Sequence, residues 1–93
     1  MITAIVMIKT AVDKIPDVAQ AIADLEGVSE VYSVAGDVDL VAIVRVREHT
    51  DLHDTIAGRL SKIPGVLSTQ TLIAFQAYSR HDLEATFSLG FES

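Results

Sequence analysis

Cysteine is absent from this chain. Thiol redox chemistry, a nucleophilic cysteine and cysteine-ligated metals are therefore excluded, and a cytoplasmic setting is expected. Positive charge is scarce as well. Seven Lys and Arg stand against thirteen Asp and Glu, for a net charge of −6. With no Lys/Arg cluster, such a chain is a poor ligand for a phosphate backbone, and direct binding to nucleic acid is not expected. The apolar runs break off well short of the ~18 residues that a membrane span requires. The opening Met1-Ile2-Thr3-Ala4 enters a strand pattern directly, with no basic region before it, so no secretory leader is expected.

What the chain has in excess is apolar surface. Hydrophobic residues make up 49% of its 93 positions. One small core cannot hide that much, so the surplus predicts contacts between subunits.

The chain also has an internal repeat. Residues 2–28 and 40–66 follow one pattern, offset by 38 positions. Ile5-Val6 falls on Ile43-Val44, Lys9 on Arg47, Asp13 on Asp51, Ile22 on Leu60, Leu25 on Ile63 and Gly27-Val28 on Gly65-Val66. Each copy reads as strand, helix, glycine turn, strand. In the first strand, residues 2–9, Ile2, Ala4, Val6 and Ile8 form one apolar face, and Ile5 and Met7 make the other half apolar. A strand buried on both faces needs a second cover, and another subunit's sheet is the natural one. Asp13 is the expected cap of the first helix, with Pro16 in its first turn and a stripe of Ile15, Val18, Ile22 and Leu25 ending at Gly27. Val28 to Val34 is the second strand and Leu40 to Arg47 a central one. Thr50 should cap the second helix, whose stripe is Leu52, Ile56, Leu60 and Ile63. Gly58 inside that helix reads either as close packing or as slack. Val66 to Tyr78 is the last strand, with Thr69, Thr71, Ile73 and Phe75 on one face and Leu72 and Ala74 on the other.

The order βαββαβ, with right-handed crossovers, interleaves the two units. The expected fold is α+β and ferredoxin-like, a four-stranded antiparallel sheet with two helices on one face. Residues 1–78 form this domain and 79–93 a tail. Ser79-Arg80-His81-Asp82 reads as the start of a short C-terminal helix, in which Leu83 and Phe87 lie one turn apart. It is expected to pack across a subunit boundary and fasten the oligomer, with fraying in solution as the alternative.

The joint between the copies is Val34-Ala35-Gly36-Asp37-Val38-Asp39-Leu40. Gly36-Asp37 suits a hairpin turn, and that alone would account for it. Asp39 is less ordinary, because a carboxylate one step before an apolar strand needs a partner. A carboxylate beside free amides could hold a zwitterion, taking the ammonium while the amides take the ligand's carboxylate.

This joint, together with Ile63-Pro64-Gly65-Val66 and Thr69-Gln70-Thr71, resembles the RAM domain, the effector-binding half of the Lrp/AsnC (feast/famine) transcription regulators. The resemblance covers residues 2 to about 78. It implies dimers packed sheet to sheet, higher assemblies that are often rings, and amino acids bound at the seams between dimers. Carried over by position, Gly36, Asp37, Val38 and Asp39 form one wall of the effector site. Thr69, Thr71 and Ile73 form another, partly from a neighbouring subunit. The family usually carries an aromatic where this chain has Val38, which leaves the effector's identity open. The regulators also carry an N-terminal helix-turn-helix, whereas this sequence begins at the first RAM strand. It thus looks like a stand-alone RAM protein that could act on metabolism or transcription through partners such as a full-length Lrp/AsnC-type regulator.

Other constellations carry less. His49 and His53, flanked by Asp51 and Asp54, could be imagined on a metal, but two ligands without a third make a poor site and a solvated helix start explains them. Arg45 and Arg47 could steer an anion or simply neutralise nearby acids. Tyr32 and Tyr78 read as caps on the sheet edges. No cofactor, metal or catalytic residue is expected, since no nucleophile is paired with a base. A purely structural oligomerisation module and a small dimeric α+β-barrel enzyme of monooxygenase or isomerase type are the rival readings. The ACT domain, another amino-acid sensor on this fold, usually has glycine where this chain has Thr10-Ala11-Val12.

Overall fold

A computed structural model describes residues 1–78 and Arg80. The expected helix carrying Leu83 and Phe87 lies outside the described residues.

The elements follow the order expected from the repeat. Strand β1 spans Ile2–Thr10, helix α1 Ile15–Ala23, β2 Val28–Ser33, β3 Leu40–Val46 and β4 Val66–Ala74. The second helix, α2, starts as His49–His53, widens into a π-helical turn at Asp54–Arg59 and closes with a 3-10 turn at Leu60–Lys62. The sheet order is β2-β3-β1-β4, with every neighbouring pair antiparallel. Each helix therefore crosses over one strand, as two interleaved βαβ units require.

Register explains which residues the core takes. Ala4, Val6 and Ile8 on β1 face Val44, Ala42 and Leu40 on β3, and all six are fully buried. Val18 and Ile22 of α1, with Leu52 and Leu60 of the second helix, close over this row. The alternate residues Ile5, Met7, Val41 and Ile43 lie on the opposite face, which no helix of the described residues covers.

Capping differs from expectation in both helices. Asp13 does not cap α1. The Lys14 N–H bonds back to the Ala11 carbonyl (2.9 Å), and this closes a 3-10 turn at Val12–Lys14. The α-helix then begins beyond Asp13, with Pro16 in its first turn. Thr50 lies inside α2, and Glu48 is its N-cap. The Glu48 N–H donates to Asp51 Oδ2 at 3.3 Å, so the acid at the repeat-equivalent position caps in the second copy alone. A Cβ on Gly58 would meet nothing within 4 Å, so slack rather than close packing explains this glycine.

The last strand is shorter than expected. Ala74 pairs with Thr3, and beyond that pair β1 has only Ile2 left to offer. Phe75 is fully exposed.

Candidate functional site

The joint between the copies forms the connection from β2 to β3. The Val34 N–H bonds to the Asp39 carbonyl, and the Asp39 N–H to the Ile8 carbonyl, each at 3.0 Å. The connection is thus closed at its base and tied to the end of β1. Gly36 has φ +148°, and no atom comes within 4 Å of where its Cβ would stand. Asp37 is exposed, and Val38 and Asp39 are half-buried.

Asp39 is not a free carboxylate. Its Oδ2 accepts the Thr10 N–H at 2.9 Å, a bond between residues 29 positions apart. This supplies the partner that a carboxylate placed before an apolar strand calls for. The cause lies in the register: β1 runs two residues past Ile8, the partner of the first β3 residue, and its last amide has no ladder partner on that side. One Asp39 oxygen completes the sheet and the other is left for further contacts.

Thr10 is a residue that the sequence reading passed over. It is 3% exposed, and its buried Oγ1 has no hydrogen-bond partner among the described residues. The signal was present, because the even-numbered row of β1 continues from Ile8 onto Thr10 and carries a hydroxyl into an apolar face. Thr10 also links Asp39 to the start of β4, since it pairs with Val66 across a shift in register.

The second group of expected residues lies on β4. Thr69, Thr71 and Ile73 pair with Ile8, Val6 and Ala4, so they share the helix-side face. Because β4 is an edge strand, Thr69 and Thr71 stay half-exposed and Ile73 is 41% exposed. Thr69 and Leu40 both pair with Ile8, on opposite sides of it. The base of the hairpin and the start of β4 therefore share one end of the sheet, about 10 Å apart across two strand spacings. Ile73 lies four residues further, about 13 Å along the strand. One protomer brings Asp39 and Thr10 together but does not close Gly36–Val38 and Thr69–Ile73 around a single pocket.

Comparison with known proteins decides the family. Residues 3–83 match the model of the Lrp/AsnC ligand binding domain. The chain belongs to that family. The match runs past Tyr78, the boundary at which the resemblance stopped in the sequence. The transcriptional regulator LysM of Sulfurisphaera tokodaii is 33% identical over 78 residues, which are 83% of this chain and 55% of that protein. The chain spans about half the length of the regulators it matches. The structure of TTHA0845 from Thermus thermophilus is 44% identical, with a TM-score of 0.81 over 86% of this chain and all of that one. A regulator from Neisseria meningitidis, NMB0573, solved as an L-Met complex, shares the fold at 15% identity and a TM-score of 0.76, over 85% of this chain and 53% of that one. The matched relatives are transcriptional regulators rather than enzymes. The Lrp/AsnC domain is a ligand-binding one, which removes the monooxygenase and isomerase readings.

His49 and His53 are both exposed, and among the described residues no three His, Asp or Glu converge as a metal set. His53 Nδ1 lies 3.8 Å from Asp54 Oδ1. No helix of the described residues is long and apolar enough to cross a membrane. Arg45 pairs with Glu30 at 3.7 Å across the open face of the sheet. Glu30 also accepts a hydrogen bond from the Tyr32 hydroxyl. That bond, and then the charge of Glu30, raise the Tyr32 pKa above 10.0.

Proposed function

We propose that this chain is an amino-acid-sensing module of a homo-oligomer in the cytoplasm, with no catalytic activity. Gly36, Asp37, Val38 and Asp39 form one wall of its effector site and Thr69, Thr71 and Ile73 of a neighbouring subunit the other. The observation that carries this reading is the Asp39 carboxylate. One oxygen is fixed by the Thr10 N–H, and the residue stands at the base of a glycine hairpin in which a Cβ on Gly36 would meet nothing within 4 Å. A fixed carboxylate is pre-organised for an ammonium group, which lowers the ordering cost of binding. The separation of the two walls within one protomer supports a site completed by a second subunit. The L-Met complex of the Neisseria relative fits the same ligand class. The downstream partner is proposed to be a full-length Lrp/AsnC-type regulator.

A thermal-shift screen against the twenty amino acids tests the reading. An effector that binds only the folded state contributes RT ln(1 + [L]/Kd), about 2.7 kcal/mol at a hundredfold excess over Kd. If no amino acid raised the midpoint at millimolar concentration, the sensing function would be discarded and a structural oligomerisation module would take its place.

Asp39 separates charge from scaffold. Asp39→Ala leaves the part-buried Thr10 N–H without an acceptor and should cost about 1–3 kcal/mol of stability as well as effector affinity. Asp39→Asn keeps an acceptor oxygen and removes the charge. It should hold nearly wild-type stability while binding at least about tenfold more weakly, the loss expected for one charge-assisted contact. Calorimetry showing unchanged affinity in Asp39→Asn would reduce Asp39 to a structural latch.

The 93-residue chain is proposed not to bind duplex DNA by itself. Its net charge is −6, so it releases few counterions from a phosphate backbone. Tight, salt-sensitive retardation of a duplex in a gel-shift assay would contradict this.

A further inference from the structure

Five of the nine large hydrophobic side chains exposed among the described residues lie on β4 or in the four residues after it. They are Leu67, Leu72, Ile73, Phe75 and Tyr78. No charged residue stands between Lys62 and Arg80. Among the described strands β4 pairs only with β1, so its other edge carries backbone groups without a ladder partner. Sheet edges are ordinarily shielded by charge, proline, a bulge or shortness, or else are covered by another segment. The opposite edge uses these devices: β2 has six residues, carries Glu30 and shifts register between Val28 and Glu30. β4 has nine residues, and its register shift lies at the far end, beside Thr10. The half that runs through Ile73 to Phe75 has none of these devices and calls for a cover.

The chain itself supplies a fitting one. Residues 81–93 follow six residues after Ala74, a link of at most about 20 Å. They carry Leu83, Phe87, Leu89 and Phe91, with Asp82, Glu84 and Glu92. Leu83 and Phe87 are spaced to meet on one face of a helix, and an uncharged strand end suits such a pair. The family match ends at residue 83, so Phe87 and the residues after it lie outside the shared domain. In sequence a neighbouring subunit was the expected dock for this segment. The exposed Ile73 and Phe75 offer one on its own strand, where so short a tether holds the segment at an effective concentration on the order of millimolar.

We infer that residues 81–91 form an intramolecular cover over the end of β4, with Leu83 and Phe87 packed on Ile73, Phe75 and Tyr78. This cover shields the strand edge from pairing with other chains. A ten-residue helix is about 15 Å long, so Thr69 and Thr71, nearer the hairpin, stay open for the effector proposed above.

The test is thermal unfolding of the full chain carrying Phe75→Ala, Phe87→Ala or both. Phe75 is fully exposed in the described structure, so without a cover its truncation would change little. With the cover, each single variant should lower Tm by at least about 4 °C. The double variant should fall no further than the worse single one, because both changes remove the same contact. These shifts should hold over a roughly twentyfold range of protein concentration, as an intramolecular contact requires. Leu83→Asp/Phe87→Asp should bare the edge and raise the mass seen by light scattering. A neutral Phe75→Ala, or additive losses in the double variant, would overturn the cover. Shifts that change with concentration would give the strand end to a neighbouring subunit and overturn the intramolecular assignment. A Leu83→Asp/Phe87→Asp variant that kept the wild-type mass would overturn the shielding role.

Discussion

Gly65→Ala should destabilise the protein by about 2–4 kcal/mol, the sum of an unfavourable backbone and an overpacked contact. Gly65 holds φ +102°, where a side chain is strained whatever the space around it. A Cβ there would also stand 2.7 Å from Val18 Cγ2 and 3.0 Å from Lys14 Cβ. Val18 is 1% exposed and wedged in the core, so it has little freedom to move aside. The Gly65 carbonyl further accepts the Ala11 N–H at 2.9 Å, which ties the end of the second helix to the start of the first. For a domain of this size the loss should lower Tm by at least about 10 °C. Gly58→Ala is the matched control. Its Cβ would meet nothing within 4 Å, so it should be neutral or stabilising by up to about 1 kcal/mol. Denaturation curves in which the two variants coincide would show that Gly65 is not required for its space or its backbone.

The second large effect concerns the face of the sheet opposite α1 and α2. Ile43→Asp should convert a dimer into a 10.0 kDa monomer without unfolding it. Ile5, Met7, Val41 and Ile43 form the centre of that face, flanked by Leu72, which is 44% exposed, and Tyr32, which is 50% exposed. Thr3, Lys9, Gln70 and the Glu30–Arg45 pair lie at its rim. An apolar centre with a polar rim is the anatomy of an interface. The surplus of apolar residues in the composition already called for one. Burying an unpaired carboxylate at its centre is costly enough to abolish association at micromolar concentration. Val44→Asp, one residue along on the buried face, should unfold the protomer instead. Light scattering showing a wild-type monomer, or an Ile43→Asp variant that remained a dimer, would end the proposal that the sheet faces pair.

Gly27 and Gly65 show why so much of the fold could be read in advance. They occupy equivalent places in the two copies and adopt nearly the same backbone, φ +94° and +102°. Ile22 and Leu60, also equivalent, are both fully buried. Two similar units of strand, helix, turn and strand have few ways to share one core, and handedness leaves essentially one. Strand faces follow from alternation alone, so Val6 inside and Ile5 outside needed no coordinates. The hairpin motif likewise named its candidate residues, because a glycine turn next to a misplaced carboxylate is a local signal.

Element ends and partnerships were not legible in this way. Asp13 and Asp51 are equivalent in sequence, yet only Asp51 caps, because the Thr10 N–H, which stands where the Glu48 N–H does in the second copy, is already bonded to Asp39. The widening of the second helix between Asp54 and Arg59 has no local signature in the residues that form it. The bond from Thr10 N–H to Asp39 spans 29 residues and exists because β1 outruns the start of β3. The sequence by itself determined the repeat, the element order, the two faces of each strand and the family, since all of these rest on short-range periodicity and on motifs of a few residues. Only the tertiary structure decided which carboxylate is already occupied and where each element stops. Those outcomes depend on register between distant segments, and a hydrogen bond or charge pair forms only where the folded chain brings its two ends within about 3–4 Å.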